Sequence, residues 1–306
     1  MGLGHFGGGV GAVRFLVERQ AKVTVTDLKD EDALADSLAA LEGLDVEYRL
    51  GGHREADFTD ADMLVVSPAV PKSTSQWVQL ARRHKIPITS EMNLFLRLCP
   101  ATICAVTGSV GKSTTTAMIH HAMSRSQQFR DCYLGGNIGR SLLPEVDRIG
   151  PADLAVLELS SFMLDDAEPL GFRPDVALVT NIVPNHLDRY GTMANYVRSK
   201  KRIARHQTPD DVLILSRSLK KNTRWKDVGQ ARRAFFDIND ERSIPHGLWR
   251  LSVPGRHNVE NALGAWEACK ALGVDPEEAV SHLQSYRGLP DRLELVGMIG
   301  DRKSVV

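Results

Sequence analysis

Ten residues, Ala105-Val-Thr-Gly-Ser-Val-Gly-Lys-Ser-Thr114, constrain this chain more than any other stretch. They follow a short apolar run, Thr102 to Val106, that predicts a buried strand. A helix is expected to start near Lys112 and to carry Met118, Ile119 and Ala122 on one face. A glycine-rich turn between strand and helix lets backbone N–H groups converge on phosphate oxygens, and the helix N-terminus adds positive potential. Gly108, Ser109, Gly111, Lys112, Ser113 and Thr114 are therefore the candidate nucleotide cradle. Lys112 would reach the outer phosphates and Ser113 would ligate magnesium. The general pattern places a glycine at position 106, where Val106 stands, so the loop is the shorter Gly-x-x-Gly-Lys-Ser.

Composition narrows the function class. A chain of 306 residues is long enough for two domains with proper cores. Lys plus Arg and Asp plus Glu both number 38, so bulk charge favours neither nucleic acid nor an anionic membrane. Cys99, Cys104, Cys132 and Cys269 show neither paired nor metal-type spacing and are expected as reduced thiols of a cytoplasmic protein. No apolar run approaches the roughly 20 residues that span a bilayer. No basic segment followed by an apolar one marks a signal peptide.

Strand-like and helix-like segments alternate almost throughout, which argues for an α/β protein with parallel sheets. Val23 and Val25 lie in a short strand that ends at Asp27; Leu34, Leu38 and Leu41 mark a helix face; Val46, Tyr48 and Leu50 alternate as a strand. Met63 to Val66 predicts a buried strand that runs into Ser67-Pro68. A short helix between Glu91 and Pro100 is expected to close a first domain of residues 1–98. Further buried strands are predicted at Leu154–Leu159, Val176–Thr180 and Val212–Leu215, with helices at Met193–His206, Asn258–Leu272 and Pro276–Tyr286. These belong to a second domain, 99–292. Gly2-Leu-Gly-His-Phe-Gly7 is a glycine loop of the kind that follows a strand, and the strand that would precede it, central in its sheet, is missing.

That loop, Gly2-x-Gly4-x-x-Gly7, fits the dinucleotide fingerprint, and Asp27 lies where a ribose-binding acid belongs. An NAD-dependent dehydrogenase is one reading, a structural tight turn another. A cradle for a different nucleotide's phosphates is the preferred third, because the chain shows no hydride-transfer site but does show a second, complete phosphate site.

Four polar segments follow the phosphate loop at the ends of predicted strands, where α/β sheets place their sites. They are Gly135-Gly-Asn-Ile-Gly139, Glu158-Leu-Ser-Ser-Phe162, Asn181 through Asn185-His-Leu-Asp-Arg-Tyr190, and Tyr196-Val-Arg-Ser-Lys200. Glu158, an acid closing an apolar strand, suits magnesium or, alternatively, a cap or salt bridge. His186 suits a second magnesium or a solvated structural place. With the short loop and Pro254-Gly-Arg-His-Asn-Val-Glu-Asn261, this series resembles the Mur ligases over nearly the whole chain, and most closely their D-glutamate-adding branch. The resemblance implies a Rossmann-like domain for a uridine-diphosphate substrate, followed by a central P-loop ATPase domain with a mostly parallel sheet. It also implies ATP- and Mg2+-dependent addition of D-glutamate to UDP-N-acetylmuramoyl-L-alanine through an acyl phosphate, by a monomer.

The same resemblance assigns residues. Ser113, Glu158, His186 and Lys200 would hold metal, with Lys200 carbamylated by carbon dioxide; a solvated helix lysine is the alternative, and Lys201 lies beside it. Lys112, His186 and Lys200 form the catalytic set. Asn137 and Ser160 would touch substrate or phosphate. Asn258 and Asn261 would reach the adenine side, although asparagines at a helix start are also ordinary caps. Arg292 would lie near the nucleotide phosphates. Leu3, Gly4, His5, Phe6, Asp27 and Ser67, with Pro68 and Ala69, would hold the uridine diphosphate. Three positions depart from the family pattern: Val110 for asparagine, Met163 for glutamine and Asp291 for histidine. Val110 removes a hydrogen-bonding side chain beside the phosphates. A third domain that recognises the incoming amino acid would follow Arg292, with residues 293–306 as its truncated start and Leu293-Glu-Leu-Val296 beginning a strand. Lacking the rest, the 306 residues are expected to bind ATP without completing ligation. A sister Mur enzyme, a folylpolyglutamate-type ligase and a catalytically incomplete nucleotide-binding fragment are the alternatives.

Overall fold

A computed structural model describes residues 1–4, 7–219, 225–289, 295–299 and 302–305, the last two segments by their backbone. His5, Phe6 and Arg292 lie outside the described residues. The chain divides into two compact units, one comprising Met1–Pro100, Gly139–Gly150 and Asp165–Leu170, the other Ala101–Ile138, Pro151–Leu164 and Gly171–Val306.

The first unit begins at the glycine loop and continues through α1 (Gly8–Glu18), β1 (Val23–Thr26), α2 (Glu31–Ala39), β2 (Val46–Arg49), α3 (Ala56–Thr59), β3 (Leu64–Val65), α4 (Gln76–Arg83), β4 (Ile88–Thr89) and α5 (Glu91–Leu98). Strands β1 and β2 pair in parallel, as do β3 and β4. Residues 1 and 2 run between the pairs: the Gly2 N–H donates to the Thr26 carbonyl, and the Ser67 N–H donates to the Met1 carbonyl. Helices α2, α4 and α5 start as capped helices should, with Asp30, Ser75 and Ser90 side chains accepting backbone N–H groups of the first turn. Helix α1 approaches the glycine loop most closely at Gly9, where a Cβ would stand 2.1 Å from the Leu3 carbonyl oxygen.

The second unit is built on a six-stranded sheet of order β10-β9-β8-β5-β7-β6, parallel throughout. Its strands are β5 (Thr102–Thr107), β6 (Cys132–Gly136), β7 (Leu154–Glu158), β8 (Val176–Val179), β9 (Val212–Ser216) and β10 (Arg232–Phe236). Around them lie α6 (Lys112–Met123), α7 (Ser161–Ala167), α8 (Leu187–Tyr190), α9 (Met193–Lys201), α10 (Arg256–Ala271) and α11 (Pro276–Gln284). The backbone of β11 (Leu295–Ile299) and β12 (Arg302–Val305) forms an antiparallel pair.

Strands β5, β7 and β8 are near-continuous apolar runs, as a sheet covered on both faces requires. Alternate residues of one face, among them Cys104, Val106, Val156 and Leu178, share a core with Met118 and Ile119 of α6 and with α10. Burying Met118 and Ile119 fully contributes about 1.5–3 kcal/mol each. The two strands absent from the sequence reading, β6 and β10, are the sheet's edges. One ends in two glycines and the other opens with two arginines, so neither presents an apolar run. The register aligns Val106 with Glu158 on one side and with Leu178 on the other, so Thr107, Glu158 and Thr180 share the carboxyl edge of the sheet. The helix expected at Met193–His206 ends at Lys201 and continues as a 3-10 turn over Arg202–Ala204.

Candidate functional site

The phosphate loop leaves β5 at Thr107 and enters α6 at Lys112. Gly111 turns the chain at φ 81°, and the first turn of α6 brings the N–H groups of Lys112, Ser113 and Thr114, for which a helix has no carbonyl acceptors. The Lys112 ammonium folds back to donate to the Ser109 carbonyl at 3.0 Å. The Thr116 hydroxyl donates to the Lys112 carbonyl at 2.8 Å, fixing the helix start.

The segment leaving β8 laces the loop in place. The Ser109 N–H donates to the Asn181 carbonyl at 2.9 Å. The Ser109 hydroxyl donates to the Val183 carbonyl and accepts the Val183 N–H, both at 3.0 Å. With that proton spent, the Tyr196 phenol is the donor in its 3.1 Å contact with Ser109 Oγ. Burial pushes the Tyr196 pKa up, against the opposing effect of the Ser109 hydrogen bond, which keeps the phenol a donor at neutral pH. Gly108 lies against Thr180 and Asn181 with no room for a side chain.

Glu158 and Asn137 meet at the neighbouring strand ends. The Asn137 amide donates to Glu158 Oε1 at 2.9 Å, and its backbone N–H donates to the Glu158 carbonyl. Glu158 is 1 % exposed, and its other oxygen, Oε2, is buried without a hydrogen-bond partner. A buried carboxylate oxygen of that kind fits a cation, because leaving it unpaired costs solvation that a metal ion restores. Ser113 lies at the head of α6, whereas no described cluster brings three or more His, Cys, Asp or Glu side chains together as a metal site. Glu158 with Ser113 therefore suits magnesium shared with phosphate oxygens better than an all-protein cage.

Lys200 is 2 % exposed and donates from Nζ to Thr107 Oγ1 at 3.0 Å. Thr107 in turn donates its hydroxyl proton to the Leu159 carbonyl at 2.6 Å, so its oxygen is set to accept from Lys200. Neighbouring Lys201 instead faces the Trp225 ring. His186 is exposed and adopts the left-handed conformation, φ 51°, at the head of the single-turn α8. Its ring lies 5.1 Å from Phe162 and 6.4 Å from Tyr196 between centroids. The Tyr196 ring is also 5.4 Å from Lys200 Nζ. Tyr196 thus bonds the loop serine and lies beside both the histidine and the lysine. Ser160 uses its hydroxyl to accept the Met163 N–H, so Met163 takes part through its backbone.

Asn258 and Asn261 lie in the first turns of α10 beside the phosphate loop. Asn258 is buried, donating to the Pro254 carbonyl at 2.7 Å, and Asn261 Oδ1 stands 2.3 Å from where a Gly111 Cβ would be. Val110, the departure expected to matter, exposes its side chain while its peptide is held on both sides by Asn181.

In the first unit Asp27 is buried and both its oxygens are engaged, Oδ2 accepting the Leu3 N–H at 2.8 Å and Oδ1 the Lys29 N–H at 3.0 Å. The Gly4 carbonyl accepts the Ser37 hydroxyl at 2.7 Å. The Ser67 hydroxyl accepts the Ala69 N–H at 3.4 Å, and the Ser67 N–H binds Met1. Leu3, Gly4, Asp27 and Ser67 thus gather at the carboxyl ends of β1 and β3. Cys104 and Cys269 are buried free thiols, the latter pushed up to about 12 by burial. None of the four cysteines forms a disulfide. Among the described residues no helix is long and apolar enough to cross a membrane.

Comparison with known proteins bears on the same segments. Residues 106–269 match the Mur ligase middle domain, and residues 1–90 match the Mur ligase MurD-like N-terminal domain. The chain belongs to the Mur ligase family. A UDP-N-acetylmuramoylalanine--D-glutamate ligase from Roseiflexus sp. (strain RS-1) is 38% identical over 328 residues, covering 97% of this chain and 69% of the relative. Its counterpart in Pelotomaculum thermopropionicum is 37% identical over 314 residues, covering 95% and 67%. Among solved Mur ligase structures, the UDP-N-acetylmuramate:L-alanyl-gamma-D-glutamyl-meso-diaminopimelate ligase from Neisseria meningitides superposes with a TM-score of 0.66 at 17% identity, covering 94% of this chain and 97% of that one. A murein peptide ligase from Psychrobacter arcticus gives 0.59 at 18% identity, covering 95% and 69%. At those identities the structures speak for the Mur ligase fold alone.

Proposed function

We propose that this Mur ligase uses ATP and Mg2+ to join D-glutamate to UDP-N-acetylmuramoyl-L-alanine. Residues 1–98 serve the uridine-diphosphate substrate and residues 99–292 serve ATP. The alanyl carboxylate oxygen attacks the γ-phosphorus of ATP, the bond to the ADP oxygen breaks, and an acyl phosphate and ADP result. The amine of D-glutamate then attacks the acyl carbon, the carbon–oxygen bond to phosphate breaks, and phosphate leaves as the amine sheds its proton.

The protein's part is positioning and charge neutralisation. The N–H groups at the head of α6 and the Lys112 ammonium hold the outer phosphates. Asn258 and Asn261 bound the loop on the α10 side. Ser113 and Glu158 hold one magnesium; His186 and Lys200, the latter as a carbamate formed when Nζ adds to carbon dioxide and loses a proton, serve a second. Bound magnesium offsets the charge gathered on the transferring phosphoryl group. Asn137 and Ser160 face the reacting groups. Leu3, Gly4, Asp27 and Ser67 hold the uridine diphosphate.

The observation that carries this reading is the buried, unpartnered Glu158 oxygen on the same sheet edge as a phosphate loop and a buried lysine. Equilibrium titration with ATP·Mg2+, UDP-N-acetylmuramoyl-L-alanine and NAD tests it. The first two bind, and Lys112→Ala removes ATP binding while sparing the uridine substrate. Binding of NAD with no dependence of any ligand on Lys112 overturns it.

A further inference from the structure

The loop's departure from the family pattern at Val110 raises the question of what fixes its shape. The Val110 side chain is 62 % exposed and contributes no polar group. Its backbone, however, is gripped on both sides of the Cα by one carboxamide: Asn181 Oδ1 accepts the Val110 N–H at 3.0 Å, and Asn181 Nδ2 donates to the Val110 carbonyl at 2.9 Å. The Thr180 hydroxyl donates to the same carbonyl at 2.7 Å. This pairing admits a single orientation of the amide, since the N–H needs an acceptor and the carbonyl a donor.

We propose that Asn181 is a positioning residue for the nucleotide phosphates, holding the Val110 peptide so that the following N–H groups converge on them. The proposal rests on the ATP reading of the loop. With the Val110 N–H taken by Asn181, the donors left to phosphate are those of Gly111 and of the first turn of α6. Gly111 follows directly, turning at φ 81°, so a rotation of the Val110 peptide would swing the Gly111 N–H out of the cradle. Asn181 stands at the exit of β8, whose last residues pair with β5 immediately before the loop. The carboxamide therefore refers the loop to the rigid sheet rather than to another loop. No polar side chain at position 110 is needed in this arrangement.

The test compares affinities of the protein and its Asn181→Ala, Asn181→Asp and Lys112→Ala variants for ATP·Mg2+ and for adenosine, by isothermal titration, beside thermal unfolding without nucleotide. Loss of two neutral hydrogen bonds that preorganise the loop is expected to weaken ATP by about tenfold in Asn181→Ala. Adenosine has no phosphates, and its affinity is expected to stay within twofold, with unfolding still a single transition well above the titration temperature. Asn181→Asp has the same volume and keeps the acceptor but sets a carboxylate oxygen against the Val110 carbonyl, so it is expected to lose ATP affinity as well. ATP affinity within twofold of the parent in both Asn181 variants overturns the proposal, as does an equal loss for ATP and adenosine, which marks general destabilisation. A parent protein that binds no ATP, or binds it independently of Lys112, overturns the underlying reading instead.

Discussion

Replacing Gly111 with alanine probes the contact between the phosphate loop and α10. At φ 81° an alanine pays the left-handed penalty, about 1–2 kcal/mol. The new Cβ would also stand 2.3 Å from Asn261 Oδ1, so the Asn261 side chain must swing away. That movement breaks its weak hydrogen bond to Asn258, 3.4 Å long, at a cost of about 0.5 kcal/mol. Together these come to about 2 kcal/mol, which weakens ATP by about 30-fold if the bound loop keeps this shape. The assay is ATP·Mg2+ affinity measured in a double-mutant cycle with Asn261→Ala. In the Asn261→Ala background no collision remains, and Gly111→Ala should cost only the backbone part, about tenfold. Parental ATP affinity in the Gly111→Ala variant, or an identical loss in both backgrounds, refutes the argument that the loop and α10 meet as described.

Glu158→Gln keeps the oxygen that Asn137 donates to but removes the charge; the Mg2+ concentration for half-maximal ATP binding should rise about tenfold or more, with unchanged folding, as a magnesium titration would show. Thr107→Val conserves shape while removing the acceptor for Lys200, so ATP affinity should survive while ADP–ATP exchange dependent on the uridine substrate falls. Arg173→Ala removes the charged partner of buried Asp211 and should cost about 1.5–3 kcal/mol in denaturant unfolding of the second unit. Burial pushes the Asp211 carboxyl up, but hydrogen bonds from Arg173 and Thr208 outweigh that and hold it below its ordinary value. Its contribution is thus fully present above the unfolded carboxylate pKa, about 3.9, and is lost as the pH falls through the folded value. An unfolding series from pH 6 down to pH 2 should show the difference between parent and Arg173→Ala narrowing at the acid end.

Much of this arrangement was legible in the residues themselves. The apolar runs of β5, β7, β8 and β9 announced a buried parallel sheet, and glycine spacing with Lys112 and Ser113 announced the loop. Edge strands β6 and β10 escaped because a strand half open to solvent carries glycine and arginine as readily as valine. Asn181 and Tyr196 stood inside segments already singled out, yet nothing local says that they face the loop. That depends on β8 lying next to β5, a neighbour 70 residues away in sequence. Val110 was expected to weaken the site through its side chain, and it was the peptide, not the side chain, that proved to be engaged.

Isotope exchange between ADP and ATP addresses the central claim most directly, because acyl phosphate formation is reversible and needs no amino acid. Labelled ADP should enter ATP only when UDP-N-acetylmuramoyl-L-alanine and Mg2+ are both present, and Lys112→Ala should abolish the exchange. Exchange that ignores the uridine substrate, or its absence in a protein shown to bind both ATP and that substrate, would contradict the account.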